Sequence, residues 1–337
     1  MGAAGNAIII LADPASGPFT AHASGNTLSG GTDGDWRVDL EAMPRLNRAA
    51  RDWSLAFFSA LNGSGLDAVA SFSMELQHGD PAPGAGIAQR YPSGAPVLLT
   101  TPALQTNFSP QSLAFWRQVY LDMADVMSAA GLRPYLQFGE VQWWYFASEG
   151  SGMPFYDQYT KDQFRSAYGR DLQVIADPSA DPALYPEEVQ FLPGLIGAFT
   201  DAVMTFVRAT HSNCRFEVLY PPDVNHTALN RAVNFPQTHW TAETLDCLKT
   251  ESFSYTLSRD LNLSRASMLF SADQGFPNHQ RNHLVGISDA TTAWQKEVGL
   301  ARSEGVEAVV LFALDQLCLI GYPCPLPEST RRSTFQG

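Results

Sequence analysis

Short runs of apolar residues alternate with longer amphipathic stretches along most of the chain. The short runs show little polar alternation, which is typical of strands buried on both faces of a parallel sheet. We predict eight such strands, at Ala7–Ala12, Ala68–Leu76, Val97–Thr101, Pro134–Glu140, Phe216–Tyr220, Leu245–Phe253, Ser267–Ala272 and Ala308–Leu314. Eight strands separated by helices favour an α/β fold of the closed (β/α)8 TIM-barrel type. An open doubly wound sheet is the alternative, although no glycine-rich phosphate loop follows an early strand.

The amphipathic stretches carry helix start and stop signals. The clearest begins at Ser109-Pro110, where a capping residue precedes a proline in the first turn, and it ends before Gly131. We predict further helices over Pro44–Leu61, Glu187–Thr210 and Asp289–Glu304.

The composition is that of one large folded domain. Of the 337 residues, 45% are hydrophobic and only 16% are charged, which is enough apolar material for a large core. We therefore predict a single (β/α)8 catalytic domain over residues 1–337, with loop insertions at about 13–43 and 146–186.

The charge excludes some partners. The formal net charge is −13, and the 21 Lys and Arg residues are scattered without a basic stripe, so a nucleic acid is not an expected partner. The apolar run at the N-terminus is too short for a signal peptide or a membrane span, so no membrane partner is expected. The chain is either cytoplasmic or a module of a larger protein, and its oligomeric state cannot be read from the sequence.

The four cysteines predict neither a metal site nor a disulfide-built fold. No CxxC pair occurs, and buried thiols are the interpretation that we favour. The spacing of Cys318 and Cys324 leaves a small disulfide loop open.

The segment that ends the predicted fourth strand carries the best catalytic candidate, Glu140. A carboxyl at the C-terminal end of a barrel strand faces the catalytic mouth, and the indoles of Trp143 and Trp144 could exclude water and raise its pKa. Aromatic faces also stack on the apolar face of a sugar ring. The other interpretation is a carboxylate that pairs with an arginine beside a core aromatic cluster.

A strand that ends in Gly-Glu and runs into Gln-Trp-Trp resembles the acid/base segment of the large clan of retaining (β/α)8 glycoside hydrolases that includes β-galactosidases and endoglycanases. The clan usually has Asn-Glu where this chain has Gly139-Glu140, so the asparagine that contacts the sugar 2-hydroxyl is missing or supplied elsewhere. The chain also resembles barrel modules of large phage-tail-like bacterial proteins. The resemblance to the clan implies a hydrolase of β-linked glycosides or polysaccharides that needs no cofactor.

Hydrolysis requires a second carboxylate beside the proton donor. Glu251, at the end of the predicted sixth strand, has the residue type that the clan uses, and Asp273 has the expected position after the predicted seventh strand. Glu75, at the end of the predicted second strand, is the third candidate. We favour Glu251 over Asp273 as the nucleophile.

Further polar and aromatic side chains follow the predicted strands and are candidate contacts to a carbohydrate substrate. They are Glu75, His78, Gln142, Trp143, Trp144, Tyr145, Tyr220, Asp223, His226, Tyr255 and Asp315. Their shared placement on the catalytic face of a barrel carries more weight than any one of them alone.

Two other functions remain open. A non-catalytic carbohydrate-binding or structural barrel would use the aromatic residues without a second acid. A metal-dependent sugar isomerase would gather the acids and histidines at the barrel mouth, but no tight ligand spacing supports a metal site.

Overall fold

The structure is a computed structural model that describes residues 36–99, 103–148, 150–287 and 293–312, together with the backbone of 7–11 and 28–30. The chain divides into two compact units. The larger unit comprises Ala7–Leu219 and Val224–Asp246, and the smaller comprises Tyr220–Asp223 and the described part of Cys247–Gly337.

A parallel sheet forms the centre of the larger unit. Its four strands, in spatial order, are β1 (Ala7–Leu11), β4 (Asp67–Ser73), β7 (Tyr135–Gly139) and β8 (Arg215–Tyr220). The register places Ser71 opposite Gln137, and Gln137 opposite Glu217. Four of the predicted strands are therefore confirmed, with ends that differ by a few residues.

Successive side chains of a strand point to opposite faces of the sheet, and helices cover one of these two faces. The helices of the larger unit are α1 (Arg48–Gly63), α2 (Pro110–Ala129), α3 (Gln158–Tyr168), α4 (Pro186–Arg208) and α5 (Ala228–Asn234). Tyr120 of α2 packs against Phe72 and Phe138, with ring centroids 5.0 and 4.8 Å away. Gln137 precedes Phe138 by one residue, so its side chain lies on the other face. There its amide donates to Ser71 Oγ over 2.5 Å.

Two short antiparallel pairs lie outside the parallel sheet. One joins β2 (Leu28–Gly30) to β3 (Trp36–Val38), and the other joins β5 (Glu75–Gln77) to β6 (Ala103–Gln105). The strand predicted over Val97–Thr101 is wrong for its described residues, because they form only an isolated antiparallel bridge from Leu98 to Leu104.

The smaller unit also contains a parallel sheet. Its strands are β9 (Cys247–Glu251), β10 (Arg281–Gly286) and β11 (Ala308–Phe312), and its helices are α6 (Phe253–Ser258), α7 (Leu261–Asp273) and α8 (Ala293–Ser303). β10 pairs with both other strands. The strand predicted over Ser267–Ala272 is wrong, because these residues lie in α7, which Asp260 caps by accepting two backbone N–H bonds.

The candidate acids follow strands of lower number than the sequence predicts. The described residues contain seven parallel strands in the two units, one fewer than a closed eight-stranded barrel. In chain order, Glu140 follows the third of them and Glu251 ends the fifth, where the sequence predicts the fourth and the sixth.

Among the described helices, α4 is the one long and apolar enough, by length and composition alone, to cross a membrane. Its buried residues recur at helical spacing, at Leu192, Ile196, Phe199, Val203 and Val207. This single buried stripe is typical of a core helix in the larger unit.

Candidate functional site

Glu140 adopts a backbone conformation that is unusual for its residue type. It directly follows β7, is half-buried, and has a φ of +51°, in the left-handed region. Residues other than glycine rarely adopt this backbone region, because their Cβ atom then crowds the backbone. Glu140 shares this conformation with His78 and Arg259 among the described residues, and such conformations are enriched at functional sites.

Gly139 allows β7 to approach β4 closely. A Cβ atom at position 139 would lie 3.0 Å from both the carbonyl oxygen of Phe72 and Oγ of Ser71. An asparagine, as in the glycoside hydrolase clan, would therefore crowd the neighbouring strand. The departure from Asn-Glu has a steric reason in this chain.

Buried amide side chains hold the irregular segment from Glu140 to Tyr145. Asn234 accepts from the backbone N–H of Trp143 over 2.8 Å and donates to its carbonyl over 3.1 Å. Gln89 accepts from the N–H of Trp144 over 2.8 Å and donates to the carbonyl of Gln142 over 2.9 Å. Because the segment makes no regular ladder here, these side chains replace the backbone partners that a strand or helix would provide.

Gln142, a predicted sugar contact, belongs to the same network. It is 1% exposed, and its Oε1 accepts from Asn225 over 2.7 Å. Asn225 Oδ1 in turn accepts from Asn234 over 3.0 Å. The side chain of Gln142 is thus part of the buried support of the turn.

The two indoles have different environments. Trp143 is fully buried between the rings of Phe108 and Phe155, at centroid distances of 4.8 and 5.5 Å, and its Nε1 donates to the carbonyl of Leu192 over 3.2 Å. It is a core residue with no face open to a sugar ring. Trp144 is half-buried.

The exposed part of the aromatic cluster lies further along the chain. Phe146 is 52% exposed and packs edge-on against Trp144 at 5.5 Å, while Tyr145 is buried. The sequence prediction missed Phe146, although it directly follows the motif. Trp144 and Phe146 are the aromatic surface that a sugar could contact.

Glu251, in the smaller unit, is buried at the end of β9. The residues on either side of it are tied to a fully buried pair, His283 and Glu297, whose Nε2 and Oε1 atoms lie 2.9 Å apart. Thr250 Oγ1 lies 2.9 Å from His283 Nδ1, and Ser252 Oγ donates to Glu297 Oε1 over 2.8 Å. These contacts fix the backbone around Glu251, and the sequence prediction missed both His283 and Glu297.

Asp273 requires a correction. It lies at the exposed C-terminal end of α7 and not at the end of a strand, so the argument from strand position no longer applies to it.

The remaining predicted contacts lie in varied settings. Tyr220 is buried and stacks on Phe270 at 4.7 Å, and Asp223 accepts from the N–H and Oγ of Ser254 at the start of α6. Tyr255 is half-buried in α6, and His226 is exposed. Glu75 is the first residue of β5 and His78 directly follows this strand, and both are half-buried. Asp315 lies outside the described residues.

No group of three or more His, Cys, Asp or Glu side chains within the described residues could hold a metal ion. The isomerase interpretation therefore has no ligand set in this part of the chain.

Comparison with known families gives one match along most of the sequence. The model of the family described as the TIM barrel of non-contractile tail sheath proteins matches residues 28–322. No curated protein matches the sequence at a significant level.

Solved structures of glycoside hydrolases are similar in fold. The glycoside hydrolase domain of PgaB (BpsB) from Bordetella bronchiseptica is 13% identical, with a TM-score of 0.54, over 77% of this chain and 73% of that one. The β-galactosidase of Marinomonas ef1 is 14% identical, with a TM-score of 0.52, over 81% of this chain and 47% of that one. The β-galactosidase of Rahnella sp. R3 is 10% identical with the same TM-score, over 81% and 44%. The chain thus spans less than half of these two β-galactosidases, and the likeness shows a shared fold.

Proposed function

Because this chain belongs to the TIM-barrel family of non-contractile tail sheath proteins, we propose that it is a structural barrel of a sheath that surrounds a tail tube. The family match over residues 28–322 is the observation that carries this proposal. A fold alone does not assign a function, since barrels host many activities.

The site geometry is consistent with a structural role. Trp143, the central residue of the motif, is fully buried, and Gln142 and Asn234 fix the segment around it through buried hydrogen bonds. Residues that would stack on a sugar in a hydrolase thus stabilise the core in this chain. A rigid barrel of this kind suits a repeated building block.

Immunogold electron microscopy of the assembled particles tests the sheath role. Antibodies raised against this chain should label particles along the whole tail, in many copies per particle. Antibodies against a tail-tip protein of the same particle provide the control. Label on this chain confined to the tip, or absent from the tail, would contradict a sheath role.

The second candidate is glycoside hydrolysis at the strand ends, favoured by one specific observation. Glu140 is half-buried after a strand and keeps a left-handed backbone despite its side chain. In this proposal Glu140 protonates the leaving oxygen, and a second strand-end carboxylate acts on the anomeric carbon or on water. Trp144 and Phe146 would contact the sugar ring. The same proposal includes a closed eight-stranded barrel.

A panel of nitrophenyl glycosides and polysaccharides tests the hydrolase proposal. Replacing Glu140→Gln should leave the fold intact, as judged by circular dichroism, and reduce turnover by at least about 100-fold, the usual contribution of a general acid. The exposed Glu243→Gln removes the same charge elsewhere and should keep full activity. Binding of oligosaccharides by calorimetry without release of reducing ends would instead identify a binding barrel.

A further inference from the structure

We propose that Glu75 is the second carboxylate of the Glu140 site, and that the two acids flank the amide of Gln105. The inference rests on the proposed hydrolysis at Glu140 and names the group that works with it. It differs from the sequence-based choice of Glu251.

The two acids follow neighbouring strands of one unit. The parallel register pairs Ser73, the last residue of β4, with Gly139, the last residue of β7. Glu140 is the next residue after Gly139, and Glu75 is the second after Ser73. Neighbouring strands are about 4.8 Å apart, and these two run in the same direction. Both acids therefore follow the same, C-terminal end of the sheet.

The antiparallel pair of β5 and β6 directs the side chain of Glu75. Glu75 lies directly opposite Gln105. Side chains of directly opposed residues project on the same face, with Cβ atoms about 4.5–5.5 Å apart. Gln105 Nε2 reaches the carbonyl oxygens of Glu140 and Gln142, over 3.5 and 3.3 Å. The side chain of Glu75 therefore projects on the face where Gln105 contacts Glu140.

Gln105, which lies opposite Glu75 and contacts the backbone carbonyl of Glu140, offers an unused acceptor. Its side chain is 2% exposed, and its Oε1 has no hydrogen-bond partner among the described residues. A buried acceptor without a donor is costly, so this atom suits a hydroxyl donor. A sugar hydroxyl, or the proton of a carboxylic acid, supplies that donor. Both Glu75 and Glu140 are half-buried and are therefore open in part to a substrate.

Backbone conformation points to the same place. Three non-glycine residues of the described chain have a left-handed φ: His78, Glu140 and Arg259. Arg259 occupies the C-cap of α6, where this conformation is ordinary. The other two belong to the segments that carry Glu75 and Glu140, and His78 is three residues after Glu75. Unfavourable backbone conformations gathered in this way are typical of active sites.

The reaction balances with these two groups and one water. Glu140 gives its proton to the glycosidic oxygen as the bond from the anomeric carbon to that oxygen breaks. The carboxylate of Glu75 either attacks the anomeric carbon, to be released later by water, or takes a proton from a water that attacks directly. In the first route the hydrolysing water gives its proton to Glu140. In the second, Glu75 releases to the solvent the proton that it took, and Glu140 regains one from the solvent, so both routes convert one glycosidic bond and one water into two hydroxyl groups.

The test combines a stability cycle with activity. Melting temperatures at pH 7 are measured for Glu75→Gln, Glu140→Gln and the double variant. Two acids in one site interact directly, by repulsion when both are ionised and through a shared proton when one is protonated, so the change in the double variant should differ from the sum of the singles by at least about 1–2 °C. The pair Glu140→Gln and Glu243→Gln serves as the control and should be additive.

Activity provides the second readout. On any substrate that the wild type cleaves, Glu75→Gln should lower turnover by at least about 100-fold, and the exposed Glu243→Gln should retain most of it. Full activity in Glu75→Gln, or an additive cycle, overturns the proposal. A non-additive cycle in a protein without any hydrolysis would support the pairing of the acids and reject the hydrolase function.

Discussion

Replacing Asn234→Ala should destabilise the larger unit strongly, because one side chain satisfies three buried groups. Asn234 accepts from the N–H of Trp143, donates to the carbonyl of Trp143, and donates to Oδ1 of Asn225. It is 1% exposed, so water does not replace these bonds easily. Each buried group left unpaired costs about 1–3 kcal/mol. Three such groups, taken at the low end of this range, give an expected loss of about 3–4 kcal/mol.

Thermal unfolding provides the assay. A loss of 1 kcal/mol lowers the melting temperature of a unit of this size by about 2–4 °C, so Asn234→Ala should lower it by about 6–16 °C. Tryptophan fluorescence should report the same transition, since Trp143 is fully buried in the native state. The exposed Asn213→Ala is the matched control and should change the melting temperature by less than about 2 °C.

A small effect would refute the reasoning. If Asn234→Ala melts within about 2 °C of the wild type, the amide does not hold the segment from Glu140 to Tyr145. The proposal that buried side chains replace the backbone ladder there would then be wrong.

Three further predictions concern other parts of the chain. Gly139→Asn should lose about 1–3 kcal/mol in urea unfolding, because its Cβ would lie 3.0 Å from the carbonyl oxygen of Phe72, and an unchanged midpoint would contradict this close approach. Glu297→Ala should lose at least about 3 kcal/mol, since it leaves Nε2 of the fully buried His283 without its carboxylate partner, whereas a well-folded variant of normal stability would show that the pair is dispensable. Burial raises the pKa of the Cys214 thiol to about 12. With the other cysteines changed to serine, Cys214 should therefore react with a thiol reagent at pH 8 only after unfolding, and rapid reaction of the native protein would refute this.

A strand such as β7, in which apolar residues predominate, could be predicted from the sequence, whereas β10, which begins with three buried polar residues, could not. The run Tyr135–Gly139 shows the pattern of a strand covered on both faces. β10 was missed because Arg281, Asn282 and His283 are polar, yet all three are buried. Their partners, such as Glu297 on α8, are distant in sequence, and hydropathy alone does not reveal them.

The confusion of α7 with a strand has a related cause. Residues 267–272 form a short apolar run, which periodicity alone does not assign to a helix or a strand. The cap at Asp260 lies seven residues before the run, and only the structure connects the two into one helix. Asp273 was placed at a strand end for this reason.

The candidate acid could be found from the sequence, but the role of its neighbours could not. Glu140 directly follows β7, within one residue of the strand end at which the sequence places it. The motif does not reveal that Trp143 faces the core, because burial depends on Phe108 and Phe155 from other parts of the chain. The unpaired acceptor of Gln105 likewise exists only once β5 and β6 have paired.

The left-handed backbone of Glu140 has a consequence for laboratory evolution. Glycine adopts this region without a steric penalty, so a glycine at position 140 would relieve about 1–2 kcal/mol of backbone strain. A library selected only for heat tolerance should therefore lose the carboxylate early, whereas one selected for an intact particle or for sugar processing should retain it. The fate of this single codon under the two regimes would show what the carboxylate contributes.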